Sequence, residues 1–121
     1  MRELTKAEEE IMHILWELER ATVWDVVGQL PEPKPAYNTV STFIRILEQK
    51  GFIDHHALGK THTYFAAVSK EDYRRHEAQK LMTNYFDNSL AELVSFFVKD
   101  QRVSLTDADE IIRLVQQKNN P

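Results

Sequence analysis

Asn38, Ser41, Thr42, Arg45 and Gln49 are spaced to share one face of a helix. Their side chains are short or planar hydrogen-bonding groups, with one guanidinium among them. Such groups read base edges and phosphate oxygens, whereas a merely solvated helix face usually carries Glu and Lys set for ion pairs. Tyr37 and Thr39 stand beside them at the start of the same run. The opposite stripe, Val40, Phe43, Ile44 and Leu47, recurs at helical spacing and is apolar. Pro35 precedes the run and Gly51 follows it, the usual punctuation of a helix. On this stretch alone, a recognition helix and an ordinary amphipathic core helix are equally open readings.

Other residues offer less. His55, His56 and His62 could lie together on a hairpin, but no fixed ligand spacing marks a metal site, so we expect exposed strand residues, no metal and no cofactor. Ser41 has no His or Asp partner in a nucleophile motif, and Glu8, Glu9 and Glu10 suit capping and solvation. No catalytic residue is expected and the chain is not expected to be an enzyme. Trp16 and Trp24 are expected in the core.

The 121 residues suffice for one ordinary core or a small domain plus an extension. With no cysteine, disulfides, thiolate zinc sites and thiol nucleophiles are excluded. The first residues lack the apolar core of a signal peptide, and no apolar run is long enough to span a bilayer. A cytoplasmic location without membrane insertion is the expectation. The net charge of −4 counts against nucleic-acid binding, but the acid is unevenly placed. Residues 1–32 are rich in Glu, whereas residues 33–68 set Lys34, Arg45, Lys50 and Lys60 against Glu48 and Asp54.

The elements around the featured helix sharpen its reading. Thr5 and Glu8 have capping-box spacing before Ile11, Ile14, Leu15 and Leu18, which predicts a first helix. Thr22 caps a short second helix ending near Gln29, and the prolines of 31–35 make a turn. Helix, turn and polar-faced helix is the helix-turn-helix order. Two β-leaning runs around Gly59 then predict a hairpin, the wing of a winged helix, with Lys60 near its tip as a phosphate contact. Beyond Ser69 the pattern predicts three helices, the last capped by Thr106.

We therefore expect a mainly α protein with a small β-hairpin wing: a winged-helix DNA-binding domain over 1–68 and a helical dimerisation domain over 69–121. The second part has more apolar surface than it can bury alone. Tyr73, Leu81, Tyr85, Phe86, Leu90, Leu93, Val94, Phe97, Ile111, Leu114 and Val115 are its candidate dimer contacts.

Leu4 to Glu8, Ile14-Leu15-Trp16 and the stretch Asn38 to Ile53, with its Lys-Gly-Phe-Ile ending, resemble the penicillinase-repressor family (BlaI, MecI and CopY type). The resemblance implies a homodimeric transcriptional repressor on a palindromic operator in double-stranded DNA. It also implies induction by cleavage in the dimerisation region, triggered by a membrane sensor metallopeptidase. Thr39 and Thr42 match the family's recognition-helix threonines, while Ser41 stands where Arg or Lys is common. The cleaved Asn–Phe bond corresponds to Phe96–Phe97 here, without the asparagine. The copper-sensing branch uses cysteine pairs, which this chain lacks. Two rival readings stay open: a winged helix used for protein–protein contact, which the acidic first segment favours, and a small-molecule-responsive regulator.

Overall fold

The computed structural model describes residues 1–119, without the side chains of Val115, Lys118 and Asn119. Six helices and one hairpin lie among them, in the order α1 (Lys6–Leu18), α2 (Val23–Gln29), α3 (Tyr37–Gln49), β1 (Ile53–Leu58), β2 (Thr61–Ala66), α4 (Lys70–Tyr85), α5 (Leu90–Lys99) and α6 (Leu105–Asn119). The chain forms two compact units, Met1–Arg75 and His76–Pro121.

The first unit is a winged helix built on its own core. Ile11, Met12 and Leu15 of α1, Val26 of α2, Val40, Ile44 and Leu47 of α3, and Phe52 and Ile53 are almost wholly buried together. Ile11, Leu15, Val40, Ile44 and Leu47 are stripe residues read from the sequence, whereas Leu18, expected in the α1 stripe, is 36% exposed at the end of the helix. Thr5 and Thr22 each form a full capping box, with Glu8 and Asp25 as the returning carboxylates. The hairpin pairs β1 and β2 antiparallel, with His55 opposite Tyr64. Gly59 turns it at φ 61°, where a side chain would be strained. Ala21, between α1 and α2, exchanges two backbone hydrogen bonds with Tyr64, at 3.0 and 2.8 Å. The wing is thereby fastened to the start of α2.

Three expectations change. Glu8 caps α1 as expected but is only 2% exposed, because Lys50 reaches back to it at 2.8 Å. Tyr73, grouped with the dimer contacts, is 6% exposed in the first unit's core, and its hydroxyl donates to Glu9 Oε2 at 2.7 Å. The first turn of α4 therefore belongs to the winged-helix unit, and the two units meet in sequence after Arg75 rather than after Val68. Finally, α6 starts two residues earlier than Thr106 predicts. Ser104 Oγ accepts the amide of Asp107 at 3.1 Å and is the cap.

The second unit has little core of its own. Among the described residues only Val94 and Ala108 are buried in it. Ser89 caps α5 by accepting from the amide of Glu92. Phe86, Phe96 and Phe97 form edge-to-face contacts, with centroids 5.6 and 5.7 Å apart. Leu81, Tyr85, Phe96, Ile112 and Leu114 remain exposed, Tyr85 at 75%. Val115, also expected at a dimer contact, lies outside the described side chains.

Candidate nucleic-acid interface

α3 buries Val40, Ile44 and Leu47 and turns Asn38, Thr39, Thr42, Arg45 and Gln49 outward. The helix is held from behind by Lys50, whose ammonium donates to the Glu3 carbonyl at 2.9 Å and to Glu8 Oε1. Burial pushes the Glu8 carboxyl up. The hydrogen bonds from Lys50 and Thr5, with the Lys50 charge, outweigh that and hold it below the ordinary carboxylate value. An ionised Glu8 thus pins the C-terminus of α3 to the N-terminus of α1.

The front of α3 is left open. Its first residue follows Ala36, which supplies no side-chain cap, whereas α1 and α2 both begin in capping boxes. Uncapped first-turn amides carry partial positive charge and suit an anion. Thr42 donates its hydroxyl hydrogen to the Asn38 carbonyl at 2.9 Å. Outward it therefore offers an acceptor lone pair and a methyl group. Asn38 keeps a side-chain amide able to donate and accept, and Arg45 a five-donor fork.

The basic residues of 33–68 divide into two pairs. Lys34 is used inside the fold, donating to the carbonyls of Gly28 at 2.9 Å and Leu30 at 2.7 Å, where it closes the C-terminal end of α2. Lys50 is used on Glu8. Among the described residues, Arg45 and Lys60 form no ion pair, and both are exposed. Two unspent cations thus stand on α3 and at the wing tip of an acidic chain.

Where α2, α3 and the wing meet lies a cleft of about 300 Å³, lined by Trp24, Tyr37, Ser41, Lys60, His62 and Tyr64 among others. Ser41, Tyr37 and Lys60 are thus brought to one place from α3 and the wing. Trp24, expected in the core, is another residue that the sequence misplaced. It is 66% exposed and packs on Tyr37 with ring centroids 4.8 Å apart. Helix α2 has seven residues, so periodicity alone could not tell its inner from its outer face. The adjacent Asp25, which must face outward to cap Thr22, was the available signal. Burial pushes the Tyr64 phenol up, Glu48 and Tyr37 add to this and Arg45 opposes it, so the hydroxyl stays protonated in the cleft at neutral pH.

Of the three hairpin histidines, His55 and His62 stack at 4.5 Å, while His56 lies on the other face against Phe65. In the second unit, Phe96 and Phe97 sit inside α5, and their carbonyls accept the amides of Asp100 and Arg102. The candidate cleavage bond is therefore helical backbone.

The penicillinase repressor family model matches residues 4–117. The chain belongs to the penicillinase repressor family. The penicillinase repressor of Bacillus licheniformis is 20% identical over 98% of this chain and 93% of its own. The methicillin resistance regulatory protein MecI of Staphylococcus aureus is 25% identical over 96% and 95%. The solution structure of the BlaI DNA-binding domain is 25% identical, with a TM-score of 0.51 over 60% of this chain and 94% of that one. The Bacillus licheniformis BlaI monomer in complex with the blaP half-operator gives 25% identity and a TM-score of 0.50, over 60% and 89%. As a member of the penicillinase repressor family the chain is a DNA-binding repressor, regulatory rather than enzymatic. No described helix is long and apolar enough to cross a membrane.

Proposed function

We propose that the protein represses transcription as a homodimer on an operator with two-fold symmetry, each winged helix placing α3 in a major groove. The observation that carries this is the composition of the α3 face. Asn38, Thr42 and Arg45 are exposed and aimed outward, and Arg45 and Lys60 of the wing are cations that the fold leaves without an ion pair. In this reading Arg45 donates to guanine, Asn38 pairs with adenine, and Thr42 accepts from an exocyclic amine. Ser41, Thr39 and the α3 amides hold phosphate, as does Lys60 from the wing. Trp24 and Tyr37 form an aromatic step suited to a deoxyribose or a thymine methyl.

Pairing belongs to residues 76–121. Leu81, Tyr85, Phe86, Leu90, Leu93, Phe97, Ile111 and Leu114 supply apolar surface that this unit leaves partly or wholly open. A unit with so few buried residues gains its stability by covering that surface with a second copy. Induction acts by undoing the pairing. A cut at Phe96–Phe97 by a membrane sensor metallopeptidase would do so once α5 unwinds locally, since proteases take extended backbone. The acidic α1 is the observation behind the rival reading, a protein–protein module. An electrophoretic mobility shift with DNA upstream of the protein's own gene separates them. Repression predicts a discrete complex that resists competition by random duplex. A protein–protein module predicts none.

A further inference from the structure

The base of the wing holds a second cluster that DNA recognition does not use. Glu48 in the last turn of α3, and Asp54 and His55 of β1, each bring one ligand atom to within 4.8 Å of the others. His55 Nδ1 hydrogen-bonds Glu48 Oε2, and Asp54 Oδ1 accepts the His55 amide at 2.8 Å. His62 stacks on the His55 ring at 13°, fixing its plane. Glu48 and His55 are each about one-third exposed, so an ion could enter from solvent.

Three features point to a cation. First, the cluster carries two carboxylates, and among the described residues their one ionic partner is the His55 imidazole of the cluster itself, paired with Glu48. Second, Glu48 lies in the last turn of α3, which contains no basic residue. Acid at that end opposes the helix dipole, and a bound cation would relieve it. Third, two carboxylates with one imidazole form a donor set for a divalent first-row metal, with positions left for water. Metal bonds of about 2.0–2.2 Å to imidazole and carboxylate require only small side-chain shifts from atoms this close.

We propose that Glu48, Asp54 and His55 bind one divalent transition-metal ion, with zinc as the reference occupant. The ion joins the last turn of α3 to the first strand of the wing and cancels their negative charge. The site is read from the first unit alone and stands whether or not the DNA reading holds.

The test is titration of the chelator-treated full chain with Co²⁺ and then Zn²⁺ alone, followed by absorbance and calorimetry. One ion per chain is expected, with cobalt bands that zinc bleaches. Asp54→Asn and His55→Ala should each weaken binding roughly 10- to 100-fold. His56→Ala, on the other face of the hairpin, should leave it unchanged. Circular dichroism checks that each variant folds, and the exposed Asp54→Asn decides the matter if His55→Ala does not. Absence of saturable binding, or binding untouched by Asp54→Asn, overturns the proposal.

Discussion

The two units of this chain solve the same problem in opposite ways. Residues 1–75 converge α1, α2, α3 and the hairpin on one centre, so that Met12, Leu15, Ile44 and Leu47 are inaccessible to solvent. Among the described residues of the second unit little beyond Val94 and Ala108 is buried, and Leu114 is 60% exposed. The first unit finishes its core internally and can spend its outer face on recognition. The second keeps apolar surface unspent, so its stability depends on what covers it. A self-sufficient first unit and a second unit with open apolar surface fit the division of labour that the proposed two-fold repressor requires.

The largest expected effect would show whether the first unit is self-sufficient. Lys50→Ala leaves the Glu8 carboxylate buried without its partner and should cost about 3–5 kcal/mol. Leu47→Ala should cost about 2–5 kcal/mol through the cavity it opens. Both losses should be independent of protein concentration in urea unfolding. Concentration-dependent losses would mean that this unit, too, leans on a partner.

The next largest effect concerns pairing. Leu114→Asp should weaken self-association by about 2 kcal/mol or more, roughly 30-fold, by placing a charge in an apolar interface. Sedimentation velocity reads this directly. The melting of residues 1–75 should be unaffected.

Recognition comes third. Arg45→Ala should weaken operator binding by about 1–3 kcal/mol and relax one base position, without changing self-association. Lys60→Ala should act alike on all sequences and lower the salt slope by about 1 per subunit. Fluorescence anisotropy across a salt series separates the two. A steep slope in the wild type would contradict a surface with two unspent cations.

The smallest effect is the pH dependence of the core. The folded Glu8 carboxyl lies below its ordinary value of 4.5. Its contribution is therefore complete above that value and is lost as pH falls through the folded one. Glu8→Gln should flatten the part of the stability profile that lies below pH 4.5.

Much of the first unit was legible because its signals are local. Capping boxes at Thr5 and Thr22, the 3.6-residue stripe of α3 and the glycine at the hairpin turn each act within a few residues. What escaped depends on distant partners. Glu8 looked like a solvated acid because Lys50 lies 42 residues away. Tyr73 looked like a pairing residue because Glu9 lies 64 residues away. Trp24 looked like core because seven residues cannot define an amphipathic face. The α3 face itself was legible at Asn38, Thr42 and Arg45, all exposed as their spacing implied. The cleft was not, since it is assembled from α2, α3 and the wing.

The most direct measurement is the stoichiometry and symmetry of the DNA complex. Sedimentation equilibrium of the full chain with a labelled duplex from its own promoter should give two chains per duplex. Hydroxyl-radical footprinting should show two protected half-sites one helical turn apart or a multiple of it. Arg45→Ala should fade both halves together. One chain per duplex, or a footprint that survives Arg45→Ala unchanged, would contradict the account.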